Sequence, residues 1–181
     1  MGADVTVFDV DVARMRYIDE VGGGRLGTRW SSPVAVREAC GESDVVIGAV
    51  LVPGARTPHL VDHEMVLGMV PGSVLVDVAV DQGGCFEDSH PTTHADPTFV
   101  VGGSVFYCVA NMPGAVPHTS TYALTDATMR YVLLLADEGW RGACGSRDDL
   151  RRGLATCGGK LVSAPVGEAL GIECVPVSEV L

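Results

Sequence analysis

Short apolar runs alternate with segments of helical spacing along the first part of the chain. Residues 5–9, 44–50 and 74–80 are runs rich in valine, and at least one segment with apolar residues three and four apart separates each run from the next. Such runs are typical of strands that are buried on both faces of a parallel sheet. Strands and helices in this order form βαβ units with right-handed crossovers. The pattern therefore predicts an α/β fold built on a parallel sheet.

The pattern changes near residue 117. Residues 99–101 and 105–108 are the last two apolar runs that suit strands. Beyond residue 117, apolar residues recur at helical spacing as far as about residue 137, and short segments rich in arginine and glycine follow. We therefore predict a first region, residues 1–117, that carries the sheet, and a helical C-terminal segment, residues 118–181.

Asp81 follows the valine-rich run 74–80 and precedes Gly83 and Gly84, which let a backbone come close to a flat or charged group. Ligands of parallel sheets bind outside the carboxyl ends of the strands, so a charged side chain there is well placed to act on a ligand. A partly buried carboxylate at such a position suits a proton acceptor. The same position also suits a residue that caps the following loop, and the residues alone do not decide between the two roles.

Asp9 ends the first predicted strand. In dinucleotide-binding folds, an acidic residue at the end of the second strand binds a ribose hydroxyl and disfavours the 2′-phosphate of NADP. Such folds also carry a G-x-G-x-x-G turn about 20 residues earlier, and only Met1 to Phe8 precede Asp9 here. The glycines at 22–24 follow a predicted helix and suit a flexible turn. Either the fold does not bind dinucleotides, or the chain begins inside such a domain.

Several other residues follow apolar segments at loop starts. These are Ser31, Val50, Leu51 and residues 109–112. By the rule that ligands bind at the carboxyl ends of strands, they could line one crevice together. They could equally be ordinary residues at the edge of a sheet.

No metal site is predicted. His90, His94 and His118 lie in polar loops without the spacing of metal ligands. The six cysteines include no C-x-x-C pair, which argues against zinc and suits the reduced thiols of a cytosolic protein. Among them, only Cys85 lies beside the candidate site.

The formal net charge of the chain is -11, from 12 basic and 23 acidic residues. Nucleic acids and anionic membrane surfaces are bound through clustered lysine and arginine, so this charge argues against both as partners. No apolar run approaches the roughly 20 residues that span a bilayer, and the N-terminus lacks the basic segment of a signal peptide. These features favour a cytoplasmic protein.

Five stretches of the chain are distinctive, namely 46–55, 76–87 with its Asp-Gln-Gly-Gly-Cys-Phe-Glu, Pro-Thr-Thr at 91–93, Tyr-Cys-Val-Ala-Asn-Met-Pro at 107–113, and 119–125. Together they resemble, without gaps, the NAD-binding and C-terminal part of bacterial NAD-dependent alanine dehydrogenases. Proton-translocating transhydrogenase alpha subunits are similar in general pattern but not in this density of matches. The resemblance implies a Rossmann-like doubly wound parallel sheet that lacks its first strand and Gly-rich loop, followed by a helical C-terminal segment.

The resemblance implies an enzyme that interconverts L-alanine with pyruvate and ammonium, using NAD and passing through an imine. Asp81 matches the family's catalytic aspartate, which works with a histidine on water and substrate. Asp9 would hold the adenosine ribose, and Arg14 and Ser31 would line the adenine side. His90 stands where some members have an arginine that touches the cofactor. The implied cofactor contacts are Asp9, Arg14, Ser31, Val50, Leu51, Val78, Ala79, Val80, Asp81, His90, Val109, Ala110, Asn111 and Met112.

The resemblance also implies which parts of the enzyme lie outside the chain. Family members are about twice as long, and their N-terminal substrate domain supplies the catalytic histidine and the basic residues that hold the substrate carboxylate. The Gly-rich loop that binds the pyrophosphate at a helix N-terminus is likewise outside. Residues 118–181 correspond to the segment that completes the substrate domain. We therefore expect an N-terminally truncated copy with weak or no activity alone.

Three functions stay open at this point. The chain is an alanine dehydrogenase fragment, an NAD-binding module or inactive remnant, or a transhydrogenase nucleotide-binding subunit. The Gly-Cys-Phe-Glu and Val-Ala-Asn-Met-Pro runs favour the first. Family members assemble as hexamers, so the resemblance also implies a homo-oligomer.

Overall fold

A computed structural model describes residues 2–181 of the chain. These residues form two compact units. The first comprises the described residues up to Ala49 together with Pro58–Val109, and the second comprises Val50–Thr57 and Ala110–Leu181. All parallel strand pairs of the described residues lie in the first unit.

Strands and helices alternate in the first unit, as the apolar pattern predicts. In chain order they are β1 (Val5–Asp9), α1 (Val12–Gly22), β2 (Leu26–Trp30), α2 (Pro33–Glu42), β3 (Val45–Gly48), α3 (His63–Leu67), β4 (Val74–Asp77), β5 (Thr98–Val101) and β6 (Ser104–Tyr107). The side chains of Asp11, Ser32 and Asp62 accept hydrogen bonds from first-turn N–H groups of α1, α2 and α3. A cap of this kind stabilises a helix by about 1 kcal/mol.

The strands of the first unit form two sheets. β1 pairs with β2 in parallel, and the order of the second sheet is β3-β4-β6-β5. Its first three strands are parallel, and β5 runs antiparallel to β6 through a turn at Gly102 and Gly103, whose φ angles are 59° and 93°. Two successive residues with positive φ are typical of the tight turn that joins twisted antiparallel strands. The predicted parallel α/β arrangement is confirmed, with one antiparallel strand at its edge.

Within residues 2–181, β1 has β2 as its strand partner and β3 has β4. In the common doubly wound order 3-2-1-4-5-6, the pair β2-β1 matches positions 3-2, and β3-β4-β6 match positions 4-5-6. No strand of the described residues takes the position between β1 and β3. This is the topology expected of a Rossmann-like sheet without its first strand.

The core of the first unit lies around β4 and β6. Leu75 and Phe106 are fully buried, and the Phe106 ring meets Phe86 edge-on with the ring centroids 6.0 Å apart. β3 is different, because Val45 and Ile47 are 53% and 64% exposed. The prediction of burial on both faces is therefore wrong for β3, whose Val45 and Ile47 side chains no element of residues 2–181 covers, and also for β1, in which no residue is buried.

The second unit is mainly helical. Its elements are α4 (Pro117–Ser146), α5 (Asp148–Arg152), β7 (Thr156–Cys157), β8 (Lys160–Leu161) and α6 (Ala164–Leu170). Gly139 interrupts α4 with φ 67° and ψ 165°, so α4 consists of two helices across a kink. The kink lies just beyond the point to which the helical periodicity was predicted to extend. No helix of residues 2–181 has both the length and the apolar composition needed to cross a membrane.

Candidate functional site

Asp77 ends β4, and its carboxylate is fully buried. Its Oδ1 accepts a hydrogen bond from the N–H of Ala79 at 3.0 Å. Its Oδ2 accepts one from the N–H of Cys85 at 2.8 Å and one from the hydroxyl of Ser89 at 2.5 Å. The segment 78–89 therefore folds around a carboxylate that belongs to the strand itself.

Gly84 contacts this carboxylate closely. Its φ is 82°, and a Cβ at this position would lie 2.8 Å from Asp77 Oδ2 and 2.9 Å from Ser89 Cβ. Only glycine combines this backbone conformation with so close an approach. The close approach that the sequence predicts at Gly84 is thus made to the chain's own Asp77.

Asp81 lies beyond the strand, on a short 3-10 turn formed by Val80–Gln82, and its side chain is exposed. The prediction that Asp81 closes a buried strand is therefore wrong, because β4 ends four residues earlier at Asp77. The exposed position leaves the Asp81 carboxylate open to a ligand at the carboxyl edge of the sheet. Its catalytic role stays a prediction.

The three residues before Asp81 differ in exposure. Val78 is 54% exposed, whereas Ala79 and Val80 are buried. The N–H of Val78 donates to the carbonyl of Gly48 at 2.8 Å, which extends the contact between β3 and β4 beyond the last paired residues. Among the predicted cofactor contacts of this segment, Val78 and Asp81 therefore present their side chains to solvent.

Asp9, Arg14 and Ser31 gather at the carboxyl ends of β1 and β2. Asp9 ends β1 as predicted, and Ser31 follows β2 and donates its N–H to the carbonyl of Asp9 at 3.0 Å. The Oδ1 of Asp9 accepts a hydrogen bond from the N–H of Asp11 at 2.9 Å. Arg14 is exposed in the first turn of α1, where its N–H donates to Asp11 Oδ1 at 3.2 Å. The structure thus brings Asp9 and Ser31 together, and the backbone of Arg14 is linked to Asp9 through Asp11.

The remaining predicted contacts divide between the two units. Val109 is buried in the first unit, where it forms a bridge with Thr92. The other members lie in the second unit, in the loop 50–57 and at residues 110–112, where the 3-10 turn Met112–Ala115 begins. They are Val50, Leu51, Ala110, Asn111 and Met112.

His90 is exposed, and its ring stacks on Phe99 with the ring centroids 3.8 Å apart. Phe99 in turn stacks on Phe106 at 4.9 Å. The ring of His90 therefore caps an aromatic column that reaches into the core. This stacking does not test the contact of His90 with a cofactor, which stays a prediction.

A family profile described as "Alanine dehydrogenase/PNT, C-terminal domain" matches residues 1–164. The chain belongs to this family. The alanine dehydrogenase of Mycolicibacterium smegmatis is 56% identical over 181 residues, and that of Halomonas elongata is 53% identical. The chain spans about half of the length of each, namely 49%.

Two solved structures are also similar to this chain. An L-alanine dehydrogenase matches with a TM-score of 0.80 and 46% identity, covering 94% of this chain and 47% of that protein. A transhydrogenase from Sinorhizobium meliloti matches with a TM-score of 0.54 and 32% identity, covering 64% of this chain and 32% of that protein. These findings confirm the resemblance and the Rossmann-like fold that it implied.

A pyridine nucleotide is the cofactor that the alanine dehydrogenase/PNT family implies. The residues of this chain fit the ribose and adenine half of such a nucleotide. The carboxylate of Asp9 and the hydroxyl of Ser31 are polar groups suited to the ribose and adenine half. The letters Gly-Gly-Gly-Arg-Leu-Gly at 22–27 have the spacing G-x-G-x-x-G, but they join α1 to β2. A pyrophosphate-binding turn instead joins a strand to the helix after it. The described residues therefore contain no such turn ahead of β1.

Two polar residues near the site, Asp77 and His63, were not predicted from the sequence. Asp77 lies within a valine-rich run. An acidic residue in such a run also suits an exposed position at the edge of a strand. His63 starts α3, and its Nδ1 lies 3.0 Å from both carboxylate oxygens of Asp88. Asp88 raises the pKa of His63 by hydrogen bonding and charge attraction. For Asp77, the one signal in the sequence is an acidic residue inside an apolar run. No local pattern indicates the contact of His63 with Asp88.

The cysteines near the site are enclosed. Cys85 and Cys108 are fully buried, and burial raises the pKa of the Cys108 thiol. Among residues 2–181, no three side chains of His, Cys, Asp or Glu converge as metal ligands would. Cys85 contributes to the site through its backbone N–H, which binds Asp77.

Proposed function

We propose that this chain provides the NAD-binding, aspartate-bearing half of an NAD-dependent alanine dehydrogenase. The reaction converts L-alanine, NAD+ and water into pyruvate, ammonium, NADH and a proton. The observation that carries the proposal is the exposed carboxylate of Asp81 at the carboxyl edge of the sheet, in a chain that matches alanine dehydrogenases over its whole length.

Asp81 is the residue to which we assign proton transfer. A bound NAD would supply a hydride acceptor for the Cα of alanine, and loss of that hydride would leave an imine of the substrate. Asp81 then accepts a proton from the water that adds to the imine carbon and gives a proton to the departing amine. The short 3-10 turn holds this carboxylate beyond β4, where it is exposed, and this exposure supports the role.

Asp9 is proposed to bind the adenosine ribose, with Arg14 and Ser31 along the adenine side. Hydrogen bonds between Asp9, Asp11 and Ser31 already fix the backbone at this point, which supports a binding role. A negative charge here favours NAD over NADP, because it repels a 2′-phosphate. Segments 78–81 and 109–112 are proposed to contact the nicotinamide half, with Val50 and Leu51 beside the cofactor.

The whole protein is proposed to follow its relatives in organisation. Residues 1–117 would form the NAD-binding domain, and residues 118–181 would complete a substrate domain. The other half of such a protein would supply the histidine and the basic residues that hold the substrate carboxylate, and the assembly would be a homohexamer. Free thiols at all six cysteines support a reducing compartment such as the cytoplasm.

A steady-state assay with L-alanine and NAD tests the proposal. The 181-residue polypeptide is compared with a fusion that places the preceding half of the Mycolicibacterium smegmatis relative ahead of residue 1. We expect weak or no turnover from the polypeptide and a kcat of about 1 to 1,000 per second from the fusion.

Two outcomes would favour the other candidate functions. A fusion that binds NADH but shows no turnover of alanine would indicate an NAD-binding module or an inactive remnant. Hydride exchange between NADH and an NADP analogue, independent of alanine, would indicate a transhydrogenase subunit.

A further inference from the structure

We propose that Asp77 is a positioning residue that holds the turn bearing Asp81 in its working place. This inference rests on the proposed function, because it gives Asp77 a part in presenting the group that moves protons. Asp77 itself is fully buried and does not face solvent, so it acts through the backbone around Asp81.

The hydrogen bonds of Asp77 bracket Asp81 along the chain. Ala79, which precedes Asp81, donates to one carboxylate oxygen at 3.0 Å, and Cys85, which follows it, donates to the other at 2.8 Å. Between these two ends, Gln82 and Gly84 donate their N–H groups to the carbonyl of Ala79 at 2.9 and 3.1 Å. Backbone hydrogen bonds therefore close the turn, and the Asp77 side chain accepts hydrogen bonds from both of its ends.

The segment that follows this turn forms backbone hydrogen bonds with residues 60 and 61. The N–H of Leu60 donates to the carbonyl of Cys85 at 2.8 Å, and the N–H of Glu87 donates to the carbonyl of Val61 at 3.0 Å. Val61 and Phe86 form a parallel bridge. The segment after Asp81 thus has a fixed support, and the Asp77 carboxylate links that support to the end of β4.

The chemistry at position 77 requires a carboxylate rather than an amide. Both backbone partners, Ala79 and Cys85, can only donate hydrogen bonds, and they contact different oxygens of Asp77. An asparagine amide has one oxygen and one NH2 group. In either orientation its NH2 would face a backbone N–H, so one end of the turn would be released.

Amide hydrogen exchange of the 181-residue polypeptide tests this role without any need for activity. In Asp77→Asn, the N–H groups of Ala79, Cys85 and the turn between them should exchange at least about tenfold faster, as expected for a lost hydrogen bond to a charged group. Amides of the β4–β6 pairing should change far less. Ser89→Ala removes one donor only and gives a milder variant if Asp77→Asn does not fold.

Ser104→Ala is the matched control. Its hydroxyl is also fully buried and forms a 2.9 Å hydrogen bond with Ser73, at the opposite edge of the same sheet. This variant should weaken the unit as a whole and leave the ratio of turn exchange to strand exchange unchanged. If Asp77→Asn behaves in the same uniform way, or changes nothing, Asp77 is not a positioning residue.

The fusion enzyme supplies the functional readout. Asp77→Asn should lower kcat for alanine oxidation at least about tenfold while changing KM for alanine much less, because a displaced Asp81 affects the chemical step. Equal kcat in Asp77→Asn and wild type would overturn the proposal even if exchange were locally faster. A wild-type fusion without turnover would overturn the proposed function, and the exchange experiment would still decide whether Asp77 holds the turn.

Discussion

The imidazole Nδ1 of His63 lies 3.0 Å from both carboxylate oxygens of Asp88. The backbone N–H of the same histidine donates to Glu87 Oε2 at 2.9 Å. Both acidic residues belong to the segment that follows the turn around Asp77, and the next residue, Ser89, binds Asp77 directly. Helix α3 is therefore tied, through a histidine whose charge depends on pH, to the segment that borders the candidate site.

The stability of the first unit should depend on pH through His63. Hydrogen bonding to Asp88, then its charge and those of Glu64 and Glu87, raises the pKa of His63. Because the folded-state pKa is raised, the stabilisation is fully present below about pH 6.5, the ordinary pKa of histidine, and is lost as pH rises through the folded value. His63→Gln should therefore destabilise the protein at about pH 5.5 and approach neutrality near pH 9, as measured by urea unfolding.

His118→Gln provides the comparison for this titration. His118 lies on α4 in the second unit, where its ring is 5.0 Å from that of Tyr122. His118→Gln controls for the loss of an imidazole as such, and its urea midpoint is measured at the same two pH values. A loss in His63→Gln that is equally large at both would contradict the charge-dependent tie to Asp88.

Gly48, the last residue of β3, should not tolerate a methyl group. A Cβ there would lie 2.6 Å from Cys85 Cβ and 2.9 Å from Phe86 Cζ, and both residues are fully buried. Overpacking of this kind costs about 1 to 3 kcal/mol, so Gly48→Ala should lower the free energy of unfolding by that amount. Gly41→Ala in α2 meets no atom within 4 Å and should raise it by about 0.5 to 1 kcal/mol. Equal effects of the two substitutions would refute the packing argument.

The order of strands and helices could be predicted because burial of a parallel sheet imposes continuous apolar runs. The run 74–80 led to a wrong strand end for a related reason. Valine at 78 and 80 continues the apolar pattern, but the strand stops at Asp77, whose side chain turns inward to accept the N–H groups of the following loop. A local pattern cannot show this reversal, because one of the partners, Ser89, is twelve positions away.

Some residues of the candidate site could be predicted from the sequence, and others could not. Asp9 and Ser31 could be placed together, since neighbouring parallel strands bring their carboxyl ends to one edge. The role of Asp81 came from the resemblance, because its exposed turn has no periodicity that distinguishes it. The contact of His63 with Asp88 joins positions 25 apart and depends on the fold alone.

Asp9 should contribute to cofactor affinity in the fusion enzyme. Removal of a charged hydrogen-bond acceptor costs about 1.5 to 3 kcal/mol, which corresponds to a rise of at least about tenfold in the dissociation constant of NADH. Asp9→Ala should therefore weaken NADH binding, as calorimetry would show, and should weaken NADPH binding less, because the repulsion of the 2′-phosphate is removed as well. Asp4→Ala, at an exposed position ahead of β1, is the control. An unchanged NADH affinity in Asp9→Ala would remove Asp9 from the ribose site.

Asp81 should matter far more for turnover than for cofactor affinity. Asparagine has nearly the same shape but cannot accept a proton from water, and general acid–base catalysis is worth about 100- to 10,000-fold. In the fusion enzyme, Asp81→Asn should lower kcat by a factor in this range while the dissociation constant of NADH stays within about threefold. Asp19→Asn, at an exposed position on α1, should leave both values unchanged. If Asp81→Asn instead keeps its kcat and loses NADH affinity, Asp81 binds the cofactor, and the proton must be accepted by another group.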